Sequence, residues 1–358
     1  MVFFVKFYIA LPPKTPQTAL ALAIGTGGGL TFSLLGLPLP WMLGAMLASF
    51  LAVIVKAPVH GPGALRPYVI PVIGVMLGSG FDTQTFSHLT EWGLSLLGLI
   101  IYIALAAAIV VPLYIKVGRL DPVTAFFSAM PGGLNEMTVI GGELGGDEKR
   151  IILSHAARIV VSVSLIAIYF RFILGYDVSS AAIPSGTDVT LDLKSGAILL
   201  GCAVLGWMMG KALKLPAAGL LGPLILSAIA HMTGLSHAAP PPALVIFAQI
   251  ILGTMMGCRF MGAAPRLIVE TLVLSTLATT VMLAGSLGFA IGFHTFFGQT
   301  TQQVLLAYAP GGLTEMSLVA IAMNGDVAYI ALHHLARIVV LIAIAPSLLS
   351  WVAKRLTR

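Results

Sequence analysis

Residues 131–161 and 310–340 are two copies of one sequence. Of the 31 paired positions 16 are identical, and the copies open on PGGLNEM and PGGLTEM. A second matched pair lies upstream in the same order, IGVMLGSGF at 73–81 and LGTMMGCRF at 252–260. Internal repeats of this length decide the architecture before any single element does, because both halves must adopt one fold and then fit together.

The repeated unit is apolar. Residues of the AVILMFWYC set make up 58% of the 358, charged residues only 9%, and mean hydropathy is +1.02. A soluble domain carries roughly 25% charged residues, so the chain reads as a multi-span membrane protein. Apolar segments fall at about 17–35, 41–57, 67–81, 92–115, 122–144 and 151–174, then at 195–213, 219–235, 243–261, 267–293, 301–323 and 327–352. Most are long enough, as helix, to cross a hydrocarbon core of ~30 Å. The division is a tail at 1–16, a first membrane repeat at 17–175, a polar linker at 176–194, a second repeat at 195–353 and a short tail at 354–358. The opening MVFFVKFYIALPPK has no charged n-region and no small-residue cleavage site, so it reads as a retained tail and not a signal peptide.

A net charge of +6 raises nucleic acid as a partner, but no basic run or basic patch interleaved with aromatics supports it. Cytoplasmic loops rich in Lys and Arg produce the same balance. Those cations also report on topology. If all twelve segments cross, the N-terminal side holds 11 Lys/Arg and the other side 6. If the fifth segment of each half returns to its own side, the division becomes 15 against 2, with Arg158 and Arg337 inside the membrane in both cases. The positive-inside rule favours the second arrangement. Each half then has five full crossings, an odd number, and the second half is inverted relative to the first. The expected fold is an all-α polytopic membrane protein of two inverted repeats, with about ten full transmembrane helices and two re-entrant hairpins or broken helices.

The repeated heptad suits such a hairpin. Residues 122–130 and 134–144 make arms of ~14 and ~17 Å, and Pro-Gly-Gly breaks the helix between them. Irregular backbone at membrane depth must be buried in protein or line a wet cavity. The half-helix that starts after each break offers unpaired N–H groups and a positive end, which suits an anion. Glu136 and Glu315 lie just inside these starts, and an intramembrane acid carries a functional hypothesis: proton carrier, cation ligand or balance of the local positive potential. The bland reading makes each a helix cap paired to an arginine.

In LSHAARIVV (153–161) and LHHLARIVV (332–340), His155 with Arg158 and His334 with Arg337 share a helix face at i,i+3. Arginine suits carboxylate recognition, so the arginines are either substrate ligands or partners in internal Glu136–Arg158 and Glu315–Arg337 pairs. The histidines are either proton relays or satisfied core residues. The candidate substrate- or ion-binding set is Pro131, Gly132, Gly133, Asn135, Glu136, His155 and Arg158, with Pro310, Gly311, Gly312, Thr314, Glu315, His334 and Arg337. No metal is expected: His333 and His334 diverge on a helix, and two cysteines, Cys202 and Cys258, make no framework. Asp147 and Asp326 read as N-caps. GTGGGL (25–30) precedes no βαβ unit, so it reads as a close-packing surface and not a dinucleotide loop.

The doubled PGGLxEM and HxxRIVV elements resemble those of the AbrB family of bacterial membrane proteins, over about residues 20–352. That resemblance implies a duplicated membrane domain, and a function described either as ammonia monooxygenase or as regulation of the acyl-CoA-dehydrogenase-like AidB protein. The architecture is also similar to the cation/proton antiporter and anion transporter superfamily, which implies transport by analogy alone. Oxygen activation needs a metal or organic cofactor, and the eight histidines form no ligand set with acids or thiolates. No enzyme and no cofactor are therefore expected. An ion-coupled (H⁺ or Na⁺) transporter of a small organic anion in the bacterial inner membrane, with both termini cytoplasmic, accounts for both repeats and both acids. The alternative is a membrane regulator that alters gene expression indirectly. Expected partners are a small-molecule or ion substrate and the lipid bilayer, with a second copy as the candidate for a homodimer and no nucleic acid.

Overall fold

A computed structural model describes residues 15–81, 89–176, 192–215, 217–323 and 325–356. Residues 1–14 of the expected tail and 177–191 of the expected linker lie outside it. Among the described residues there are fourteen α-helices and no strand. The first half supplies α1 (Thr15–Leu34), α2 (Ala45–Ile54, entered through a π-helical turn at Pro40–Gly44), α3 (Arg66–Gly78), α4 (Leu89–Lys116), α5 (Pro122–Ala129), α6 (Leu134–Glu143) and α7 (Glu148–Ile168). The second half repeats that order with α8 (Leu193–Ala212), α9 (Ala218–Met232), α10 (Pro242–Gly257), α11 (Pro265–Phe297), α12 (Thr301–Tyr308), α13 (Leu313–Ala322) and α14 (Val327–Leu356). The tail expected from 354 is thus helical to 356.

The protein is a multi-pass membrane protein. Six of the described helices are long and apolar enough to span, and α4 faces outward with Leu97, Ile101, Leu105 and Ile109, all more than half exposed at one-turn spacing. This is fewer than the ten crossings expected. The apolar helices Pro40–Ile54, Gly63–Gly78 and Ala218–Met232 have 15 or 16 residues, just short of a spanning length.

The helices form two bundles, and the halves interlock in one of them. α3 packs on α8 and α9 of the second half, while α10 packs on α1 and α2 of the first. The upstream matched segments explain the exchange. Within them, Gly74 and Gly78 lie against the carbonyls of Leu220 and Leu224, where a Cβ would stand 2.5 Å from either oxygen. Gly253 and Gly257 meet the carbonyls of Met42 and Met46 as closely. Glycines one turn apart allow backbones to approach where lipid supplies no hydrophobic drive. Ser227 Oγ adds a 2.8 Å hydrogen bond to the Val75 carbonyl across the α3–α9 contact.

The other bundle holds α4, α7, α11, α14 and the four short helices. Tyr102 on α4 donates to the Met282 carbonyl on α11 at 3.1 Å and accepts from Ser286 at 3.1 Å. α5 and α6 have 8 and 10 residues, or about 12 and 15 Å. Their outer ends meet: the Asp147 N–H, beyond α6, donates to Thr124 Oγ1 in the first turn of α5 at 2.8 Å. α5 and α6 are therefore the arms of a hairpin. The second hairpin closes likewise, with Tyr329 Oη, in the first turn of α14, donating to Gln299 Oε1 just before α12 at 2.9 Å.

The hairpins enter from opposite ends. α7 begins at the base of the first, whereas Tyr176 beyond its far end accepts from Gln302 Nε2 at the base of the second, at 3.2 Å. Asp147 and Asp326 cap their helices, accepting from the N–H groups of Arg150 and Tyr329 at 3.1 and 2.9 Å. Losing the Asp147 cap in Asp147→Ala is expected to cost about 1 kcal/mol, a small drop in thermal midpoint measured in detergent.

Candidate functional site

Each heptad builds a hairpin tip with one internal logic. The chain stays extended through Met130 and Gly133, then turns into helix at Leu134; in the second copy Ala309 and Gly312 are extended and helix resumes at Leu313. The first glycine of each pair leaves room for the methionine that ends the motif, since a Cβ on Gly132 would stand 2.7 Å from Met137 and one on Gly311 2.5 Å from Met316. The second glycine is the N-cap, and the glutamate three residues on folds back over it: Glu136 Oε2 lies over Gly133 and Glu315 Oε2 over Gly312. Neither N-cap has a side chain to satisfy the helix start. A carboxylate at the third position favours the positive end of its own helix.

Arg158 and Arg337 fasten the tips. Arg158 Nη1 donates to the Met130 carbonyl at 2.8 Å, Nη2 to His155 Nδ1 at 2.9 Å, and Nε crosses to the Pro310 carbonyl of the other hairpin at 3.1 Å. Arg337 stays on its own hairpin. Its Nη1 donates to the Ala309 carbonyl at 2.6 Å and its Nη2 to Gly311 O and His334 Nδ1 at 2.8 and 2.9 Å, while its buried Nε has no partner among the described residues. Both arginines are 3% exposed or less, and both histidines fully buried. The internal Glu136–Arg158 and Glu315–Arg337 pairs do not form. The arginines spend their donors on backbone carbonyls at the breaks, where among the described residues Pro310, Ala309 and Gly311 have no other donor and Met130 has only the Gly132 N–H.

The histidines complete these clamps. His155 Nε2 faces the Phe127 carbonyl at 2.8 Å and His334 Nε2 the Leu306 carbonyl at 3.0 Å. With an arginine donating to each Nδ1, the network assigns the neutral Nε2–H tautomer to both. A second ring proton would point at a guanidinium, so this geometry favours satisfied core histidines over proton relays.

The two tips share a cavity of about 410 Å³ between the two bundles. Gly133, Asn135 and Glu136 line it from one tip, Gly312, Thr314 and Glu315 from the other, and Ile159 and Ile338 from α7 and α14. Pro131, Gly132, Pro310, Gly311, His155, His334, Arg158 and Arg337 stand behind this wall and do not line it. The opposite wall carries Arg66 at the start of α3, Lys211 at the end of α8 and Arg259 just after α10. Lys211 Nζ sits 3.8 Å over the Trp207 ring. Counting loop cations hid these three, although one signal was present: Arg259 stands where the matched first-half segment has Gly80. Among the described residues no three His, Cys, Asp or Glu side chains gather as a metal site.

Comparison with known proteins agrees with the paired motifs. The sequence model of a family described as AbrB, transition state regulatory protein, matches residues 41–353. The YhjN protein of Bacillus subtilis (strain 168), whose name assigns no function, is 24% identical over 349 residues, covering 91% of this chain and 90% of its own. A protein of Escherichia coli (strain K12) named as a candidate regulator, AbrB, is 22% identical over 320 residues, covering 88% and 91%. With most of its length matched and both hairpins inside the match, this chain belongs to the AbrB family of membrane proteins.

Proposed function

We propose that this protein is an ion-coupled secondary transporter of a small organic anion, not an enzyme. One observation carries the reading: two opposed half-helix N-termini, each bearing a glutamate, share a cavity with three cationic side chains at the seam between two bundles. Helix starts and cations attract the anion, and Glu136 or Glu315 takes the coupling H⁺ or Na⁺. Sliding or rocking of one bundle on the other then exposes the site to alternate sides, as in other transporters with discontinuous helices.

Charge supports the orientation. Lys116, Arg119, Lys149, Arg150, Arg259 and Arg266 gather where α4 and α10 end and α7 and α11 begin. By the positive-inside rule that end is cytoplasmic. It faces the cytoplasm from the bacterial inner membrane, with both termini on the same side. The cavity, with exposed Arg66 and Lys211 at its edge, opens there.

Reconstituted protein on a sensor-supported membrane, challenged with small carboxylates, amines and pH or Na⁺ jumps, gives the test. A substrate-dependent current is expected, and Glu136→Gln or Glu315→Gln should reduce it by on the order of tenfold or more, equivalent to ~1.4 kcal/mol. A current that survives both substitutions removes the glutamates from coupling.

The regulator named in Escherichia coli supports a second reading, in which the protein changes gene expression through the metabolite it moves. A deletion phenotype rescued equally by wild type and by a flux-dead, folded glutamate variant would put regulation ahead of transport.

A further inference from the structure

Resting on that transport reading, we propose that the cavity selects a small organic dianion whose two acidic groups are separated, one at the hairpin tips and one at Arg259 and Arg66. The charges lining the cavity do not balance. Arg66, Lys211 and Arg259 face Glu136 and Glu315, and the two half-helix starts each add about half a positive charge, leaving an excess of roughly two. A monoanion would neutralise only part of this.

The cations also lack carboxylate partners, Lys211 resting only on the Trp207 ring. Among the described residues none of the three makes an ion pair, and the buried Nε of Arg259 has no hydrogen-bond acceptor. Arg66 lies near enough for its charge to act on Arg259 as well as on Glu315 across the cavity, and it pairs with neither. Arg158 and Arg337 each make three hydrogen bonds, although Arg337 also keeps a bare Nε, whereas Arg259 makes none among the described residues. A partly buried arginine left without an acceptor beside a second cation is stabilised by a ligand anion.

Position sets donors on both walls. The tips offer N–H groups, Asn135 and Thr314 on one wall, while Arg259 and Arg66 stand on the other wall, carried by α10 and α3 of the second bundle. An anion with both charges on one group reaches one wall, whereas a molecule with an acid at each end reaches both. A cavity of about 410 Å³ holds such a molecule only if it is small.

The test is calorimetric binding to the full chain in detergent. The probes are succinate and glutarate, their one-charge analogues succinamate and butyrate, and methyl phosphate, which carries both charges on one group. Succinate or glutarate should bind at least about tenfold more tightly than the one-charge analogues and methyl phosphate. Arg259→Gln and Arg66→Gln should each erase that margin by weakening the dicarboxylates on the order of ten- to hundredfold. Arg259→Lys should restore part of it, and Lys149→Gln, outside the cavity, should leave it intact. Equal binding of succinate and succinamate, tightest binding of methyl phosphate, or a preference that survives Arg259→Gln overturns the dianion assignment while leaving anion transport standing. Absence of binding by every anion overturns both.

Discussion

Replacing Arg158 by methionine is expected to destabilise the folded protein by about 3–5 kcal/mol, the range for stripping one partner from a buried charged network. Methionine keeps much of the stem and its apolar packing, so the loss isolates the guanidinium. Three acceptors lose the guanidinium together: the Pro310 carbonyl of the opposite tip and His155 Nδ1 are left bare, while the Met130 carbonyl keeps only the Gly132 N–H at 2.9 Å. Each lies where water does not reach, and an unsatisfied buried carbonyl costs on the order of 1–3 kcal/mol. Arg337→Met strands the Ala309 and Gly311 carbonyls and His334, but breaks no bond between tips. Scanning fluorimetry in detergent should show a large fall in unfolding midpoint for both. Only Arg158→Met should also loosen one tip from the other, seen as faster hydrogen exchange at both heptads. An unchanged midpoint for Arg158→Met would mean the clamp contributes nothing.

Gly222→Ala should also destabilise the protein, by a different route. A Cβ there overlaps the Gly206 carbonyl oxygen and comes within 3.0 Å of the Gly210 N, so α8 and α9 would be forced apart along their whole contact. Overpacking a tight interface costs typically 1–3 kcal/mol, and the clash is with backbone, which cannot swing aside. The control lies on the same helix as Gly206. A Cβ on Gly201 would meet nothing within 4 Å, so Gly201→Ala should be neutral or gain up to about 1 kcal/mol from helix propensity. Equal midpoints for the two variants would refute the close contact.

Much of this fold can be read from the residues because duplication repeats the evidence. Break points at Pro-Gly-Gly, arm lengths and the Asp147 and Asp326 caps all follow from local chemistry, and the structure has them within a residue or two. The partners of Arg158 were not legible. A carboxylate three residues past the break attracts attention as its counterion, whereas carbonyls exposed by the breaks, at Met130 and Pro310, leave no mark in a sequence. The cationic wall escaped for another reason. Arg66, Lys211 and Arg259 lie at helix ends, and only the packing of α3, α8 and α10 turns those ends toward the tips.

The exchange of α3 and α10 bears on how the chain can be assembled during synthesis. Helices enter the membrane in order, yet α3 finds its packing surface on α8 and α9, more than a hundred residues later. Until those helices arrive, the glycine face of Gly74 and Gly78 must be shielded by lipid or by insertion machinery. The second half in turn cannot seat α10 without the waiting α1 and α2. Neither half is a finished folding unit, so the molecule matures in one late docking event, and a chain cut between the halves should be rescued only when both fragments are made together.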